Sequence, residues 1–269
     1  MKKILKYILG IFDLEIKRKG RKSHESPSTL FSPIRGNMYS FFDFLIEQNF
    51  YPNVIIDVGV ADGTPELTSK FDKAYFVWVE PLQEFEPVLK KLSQQYSGQY
   101  YICAAGKTVG KFILNVHEDL AGSSIYNEVD GNYADGKKRE IEMSTLDEIV
   151  KGELRNNILL KIDVQGAELD VLDGATEILT FTEVIILEVS MFKFQQNAPD
   201  FYDIVSNMKK RGFVVYDLYH GHNRPLDNAL AQVDMVFVKE DGQFRKSHHW
   251  ATDEQRSLIN SEKLARNKN

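Results

Sequence analysis

A single cysteine, Cys103, stands in 269 residues, so the chain forms no internal disulfide and no cysteine-based metal site. It lies in the strand-like run 99–104, which predicts a buried, inert thiol and fits a reducing, cytoplasmic setting. Positive charge is also short. A net charge of −6 leaves no basic excess to displace counterions from a phosphate backbone, which argues against nucleic acid as a partner. Long apolar runs are missing too: the N-terminal stretch that comes nearest is interrupted by lysines and too short to span a bilayer, and no small-residue cleavage site follows it. No low-complexity tract or internal repeat breaks the rest. With 43% hydrophobic and 27% charged residues, the chain has the composition of one medium globular domain with extensions.

The N-terminus is the exception to the acidic average. Lys2, Lys3, Lys6, Lys17, Arg18, Lys19, Arg21 and Lys22 surround Ile4, Leu5, Ile8, Leu9, Ile11 and Phe12, which recur at helical spacing. A basic amphipathic helix of this kind either lies on an anionic membrane surface, giving a membrane-associated protein, or packs on the domain ahead of a solvated linker. Serines and prolines from Ser23 to Pro33 read as that linker. The organisation expected is an extension over 1–37, a domain over 38–240 and a polar tail over 241–269.

The centre of the domain is the stretch Asn53 to Pro65. Val54 to Val58 is a short apolar run, as in a strand buried on both faces of a parallel sheet. Gly59 and Gly63 then supply a tight turn, and Thr64 with Pro65 opens a helix. Strand, glycine turn and helix start form a nucleotide-type cofactor site. A dinucleotide loop prefers G-x-G-x-x-G with small neutral residues near the pyrophosphate. Here the spacing is Gly59-x-x-x-Gly63, Ala61 replaces the middle glycine, and Asp62 would repel a phosphate. S-adenosylmethionine carries a sulfonium and an ammonium and no phosphate, so Asp57 and Asp62 favour it over NAD. The next strand, Ala74 to Val79, ends at Glu80 about twenty residues after Gly59, where an acid accepts both ribose hydroxyls. The candidate cofactor contacts are Asp57, Gly59, Ala61, Asp62, Gly63, Glu80 and Pro81.

Helical spacing over 38–50, 84–96, 171–179 and 200–211 alternates with strand-like runs at 99–104, 157–164, 183–189, 213–218 and 233–238. Shorter alternating segments at 111–117 and 139–143 flank a glycine- and serine-rich loop. Alternating strands and helices imply a parallel sheet. The last two strands, joined only by a loop, imply antiparallel neighbours. The fold class expected is α/β, a seven-stranded mostly parallel sheet with the last strand antiparallel and helices on both faces.

A second constellation reads Leu160-Lys-Ile-Asp-Val-Gln-Gly-Ala-Glu168. Carboxyl ends of strands face the ligand crevice, which brings Asp163, Glu168 and Glu188 toward the cofactor as a general base or as oxygen ligands for Mg²⁺, with Asp163 and Glu188 the candidate metal ligands. Glu168 also suits a helix's first turn, and Glu188 suits an ion pair with Lys161. His117, His220 and His222 are further candidate bases, the last two in a loop between the final strands. His248 and His249 read as surface residues.

Ile56-Asp-Val-Gly-Val-Ala-Asp-Gly-Thr64, Val79-Glu-Pro81, the 160–168 segment and the strand ending at Glu188 together resemble the FkbM family of S-adenosylmethionine-dependent methyltransferases, over roughly residues 54 to 239. The resemblance implies a class I, Rossmann-like methyltransferase fold and O-methylation of a hydroxyl on a sugar, glycan or natural product. It places Asp57, Gly59, Gly63 and Glu80 against the cofactor and Asp163 near the transferred methyl. The family commonly carries glutamate at the position of Gln165. A nicotinamide or nucleotide-sugar enzyme and a non-catalytic binding module are the alternatives.

Overall fold

Residues 54–58 are buried at every position, because a central strand between two helix layers has no solvent face. This strand, β1 (Val54–Val58), organises a computed structural model that describes residues 34–131, 133–151 and 156–266. The basic helix expected over 1–22 and its linker to Pro33 lie outside the described residues.

Before β1 comes helix α1 (Met38–Glu47), opened by Asn37, whose side chain accepts from the Ser40 amide at 2.9 Å. Then follow α2 (Pro65–Lys70), β2 (Tyr75–Val79), α3 (Glu86–Gln95), β3 (Gly98–Tyr101), β4 (Ala104–Ala105), β5 (Gly110–Val116), β6 (Lys137–Ser144) and α4 (Leu146–Ile149). The second half contains β7 (Ile158–Ile162), α5 (Glu168–Asp173), α6 (Thr176–Phe181), β8 (Thr182–Ser190), α7 (Phe201–Lys210), β9 (Phe213–Asn223) and β10 (Leu230–Lys239). These belong to one compact unit over 34–248; in the other, the helix α8 (Asp253–Arg266) places the Arg256 guanidinium 5.4 Å from the ring centre of Trp250. Among the described residues, no helix is long and apolar enough to cross a membrane.

The main sheet has seven strands in the order β3-β2-β1-β7-β8-β10-β9. All neighbours are parallel except those of β10, which runs antiparallel to both β8 and β9. Side chains alternate between the two faces with period two. Ile55, Leu159, Ile186 and Val236 face a layer containing Phe41, Phe42 and Leu45 of α1, Leu67 of α2 and Leu89 of α3. Ile56, Leu160, Leu187 and Met235 face the other layer, with Val171 of α5, Ile178 of α6 and Met208 of α7. Phe76 and Trp78, stacked with ring centres 5.1 Å apart and fully buried, anchor the first layer.

Three expectations change. The run 99–104 is not one strand: β3 stops at Tyr101, and Ala104 and Ala105 pair with β6 in a separate sheet ordered β4-β6-β5. The helix expected through 171–179 is two short helices. They meet at Gly174, the cap of the first, where only glycine fits because a Cβ would meet the Gly106 carbonyl oxygen at 2.0 Å. The loop expected between the last strands is mostly strand, since β9 runs on to Asn223 and β10 begins at Leu230.

Candidate active site

The site lies at the carboxyl ends of β1, β2, β7 and β8, as open parallel sheets dictate. The turn after β1 is fixed by two backbone bonds: the Gly59 amide donates to the Val79 carbonyl at 2.9 Å, and the Asp163 amide donates to the Val58 carbonyl at 3.0 Å. Gly59 has φ +78° and Ala61, unusually for a residue with a side chain, φ +43°. Pro65 holds the first position of α2, while Thr64 caps it without a side-chain hydrogen bond.

Glu80 reaches back over this turn. Its Oε2 accepts from the Ala61 amide at 3.0 Å and its Oε1 from the Leu82 amide at 2.9 Å. Burial pushes its carboxyl up from the usual range, and the two amides oppose that shift. A pocket of about 770 Å³, counting its open mouth, runs from Gly59 and Glu80 past Phe85 to Leu114 and Ile125. Its floor comes from the main sheet and its far wall from β5 and the segment after it. One end carries the Glu80 carboxylate, suited to ribose hydroxyls, and the walls beyond are apolar, suited to a purine; the donor set fits S-adenosylmethionine. Glu80→Ala is expected to weaken S-adenosylhomocysteine binding by at least about 1.5 to 3 kcal/mol, because it deletes the acceptor and strands two amides. Calorimetry checks this, and unchanged affinity would place the ribose elsewhere.

A polar row crosses the sheet beside that pocket. Asp57 of β1 is the register partner of Lys161 of β7, and Glu188 of β8 that of Asp234 of β10. By strand parity all four share the face of Ile55, Leu159, Ile186 and Val236. Asp57 is buried, and neither of its oxygens accepts a hydrogen bond of normal geometry. Burial raises its carboxyl above the usual range, against the pull of Lys161, whose Nζ lies 3.8 Å away. The same ammonium donates to Asp163 Oδ2 at 3.3 Å. Burial alone would lower the lysine; Asp163, Asp57 and Asp234 outweigh it and keep it charged.

Gln165, at φ +54°, donates through Nε2 to Asp163 Oδ1 at 3.0 Å and to Glu188 Oε2 at 2.9 Å, and Gln232 donates to the same Glu188 oxygen at 2.8 Å. Glu188 is therefore held by two amides and not by Lys161 as expected from sequence. Burial first, then the charges of Asp163, Glu168 and Asp234, push its carboxyl up. The Mg²⁺ expectation at Asp163 and Glu188 finds no support: amide and ammonium hydrogens fill the positions a cation would take, and among the described residues no group of three or more His, Cys, Asp or Glu could hold a metal. Glu168 also turns away from the site. Its Oε1 accepts from the amides of Gly166 at 3.0 Å and Val164 at 3.3 Å, closing its own loop.

Burial lifts the Glu168 carboxyl to about 7. A buried acid with a raised folded value favours the protonated protein, so its contribution is present at low pH and is lost as pH rises from about 4.5 to about 7. Relative to wild type, the stability of Glu168→Gln is therefore expected to rise by on the order of 3 kcal/mol across that window and to keep that lead at higher pH, read by urea unfolding.

A second pocket, lined by Asp62, Glu66, Lys161, Asp163, Glu188, His220, His222 and Asp234, meets the first at Gly59, Ala61 and Asp163. Asp163, His220 and His222 are thus brought to one cavity, and the exposed Asp62 lines this pocket, not the apolar one. Gly63 lies there too, and Pro81 lines the first pocket. His117 is excluded: it lines a different cleft, with Nε2 buried 4.0 Å from Glu128. Cys103 is partly buried, and burial raises its thiol to about 11, consistent with an inert residue. Gln232 and Asp234, both in β10, were missed from sequence, and Lys161 was read there only as a partner for Glu188.

The model of the methyltransferase FkbM domain matches residues 57–215. No curated protein matches the chain. Solved structures of similar shape include a 1,6-didemethyltoxoflavin N1-methyltransferase from Burkholderia thailandensis, 11% identical, covering 75% of this chain and 77% of that one with a TM-score of 0.42. An rRNA methylase from Streptococcus thermophilus is 13% identical over 77% and 99% of the two chains, with a TM-score of 0.42. An S-adenosylmethionine-dependent methyltransferase from Clostridium acetobutylicum is 10% identical over 88% and 99%, again at 0.42. With its family model spanning more than half of its length, the chain belongs to the FkbM family and is an S-adenosylmethionine-dependent methyltransferase.

Proposed function

We propose that this methyltransferase acts on a hydroxyl oxygen of a sugar, a glycan or a related natural product. The observation that carries the reading is the second pocket, whose walls are carboxylates, amides and imidazoles and which opens onto the cofactor pocket at Gly59, Ala61 and Asp163. A polyhydroxylated acceptor donates hydrogen bonds to such walls. A phosphorylated one is repelled by Asp62, Glu66 and Asp163, and the net charge of −6 disfavours a nucleic acid. When bound, S-adenosylmethionine supplies a methyl carbon made electrophilic by its sulfonium. Glu80 holds the ribose, and Asp57 and Asp62 set negative charge beside the turn. Asp163, fixed by Lys161 and Gln165, stands where the pockets join, so the chain contributes chiefly by positioning.

Incubating the full chain with methyl-labelled S-adenosylmethionine and a panel of glycan and lipid-linked sugar extracts tests the reading. Label recovered in an acid- and base-stable methyl ether is expected. Label found only in amines or RNA overturns the oxygen acceptor, and tight NAD⁺ binding without S-adenosylhomocysteine binding overturns the donor.

A further inference from the structure

We infer that His220, oriented by Asp234, is the general base that takes the acceptor hydroxyl's proton, an inference that rests on the oxygen transfer proposed above. Its first support is the backbone. Asp234 is the register partner of Tyr219 and Gln232 that of His222, so His220 and Gly221 stand opposite Val233 alone, a bulge on β9. His220 takes φ +55° there. A left-handed histidine within a strand is strained, and bulges re-aim side chains beside active sites.

The second support is Asp234 itself, a buried acid within the apolar strand β10. Its Oδ2 lies 3.3 Å from His220 Nδ1. A carboxylate at that nitrogen holds the ring's proton on Nδ1 and leaves the Nε2 lone pair as the acceptor. The third is location, since His220 and Asp234 line the cavity that Asp163 and Gly59 share with the cofactor pocket.

The two other acids at the strand ends in that cavity, Asp163 and Glu188, are committed. Asp163 meets a fixed donor at each oxygen, Gln165 and Lys161, which suits a stationary charge. Glu188 accepts from Gln165 and Gln232. His222 has no ion-paired carboxylate among the described residues. In the step inferred, the acceptor oxygen forms the new C–O bond while the S–CH₃ bond breaks and its electron pair stays on sulfur. The hydroxyl proton passes to His220 Nε2 and from there to solvent. Asp234 is a positioning residue, acting through the imidazole.

Long-range proton–nitrogen NMR on the full chain, labelled with ¹⁵N-histidine and saturated with S-adenosylhomocysteine, reads the ring directly. The expected result is a dominant Nδ1-protonated tautomer at His220, lost in Asp234→Asn, with S-adenosylhomocysteine affinity unchanged. A wild-type ring with mixed tautomers, or one indifferent to Asp234→Asn, overturns the pair. On the acceptor identified by the extract panel, His220→Gln should lower kcat by about 10² to 10⁴-fold without changing KM for the donor, and free imidazole should restore part of the rate to His220→Gly. Wild-type kcat in His220→Gln overturns the base. If the panel yields no methyl ether, the oxygen-acceptor reading fails, while the tautomer measurement still decides the pair.

Discussion

Alanine at Gly59 is expected to abolish cofactor binding and remove at least about 3 kcal/mol of stability, a large share of the 5–15 kcal/mol typical of a domain. Two independent effects add. The turn needs φ +78°, which costs a residue with a Cβ about 1–2 kcal/mol. The added carbon would also lie 1.8 Å from the Asp163 carbonyl oxygen and 2.8 Å from its carbon, both backbone atoms of a strand end that cannot swing aside. Gly63 is the internal control, because its φ is +97° but a Cβ would meet only Leu92 and Val88, at 3.7 and 3.8 Å. Gly63→Ala should therefore show the backbone strain without the clash, about 1 kcal/mol. Urea midpoints together with S-adenosylhomocysteine calorimetry separate the two, and equal losses would mean that the approach to Asp163 relaxes freely.

Lys161→Met is expected to destabilise by about 3–5 kcal/mol, because it removes the cation from a buried group and leaves the anions. Asp57 has no hydrogen bond to fall back on, and Asp163 keeps only Gln165. Asp57→Asn alone leaves Lys161 with Asp163, and the double variant should recover more than 1 kcal/mol of the single loss, since the two residues are direct partners. The pH dependence has a definite sign. Without the lysine, burial raises the Asp57 carboxyl further, so the variant comes nearest wild type near pH 4 and falls behind as pH rises. Urea unfolding at pH 5 and pH 8 checks it; a loss that is the same at both would locate the damage in packing.

The fold was legible wherever burial forces one simple pattern. β1 and β7 are covered on both faces, so each reads as an apolar run broken by one charge, with a glycine turn after it. The split between Tyr101 and Ala104 was illegible because Ile102 and Cys103 continue the apolar run through the point where the chain changes sheets. Likewise His220, Gly221 and His222 look like loop composition, and only the pairing with β10 reveals a bulged strand. The glycine turn and Glu80 were found because their chemistry is local. The polar row was not, since Asp57, Lys161, Glu188 and Asp234 are far apart in sequence and meet only through strand order. One signal was available in part: Asp57 and Lys161 are each the lone charge inside a short apolar strand.

The cofactor pocket is floored by one sheet and walled by another, and this gives its occupant a mechanical role. Ties between the small sheet with its loop and the rest of the domain include Ser124 Oγ donating to the Gln165 carbonyl at 2.7 Å and Arg139 of β6 donating to both Glu84 oxygens at 2.8 and 2.7 Å. A bound adenosine group would act as mortar, touching Val58 and Val79 on one side and Leu114 and Ile125 on the other. Amide exchange in β5 and the segment behind it is therefore expected to slow more than that in β1 when S-adenosylhomocysteine is added, and equal slowing would deny the wall this role.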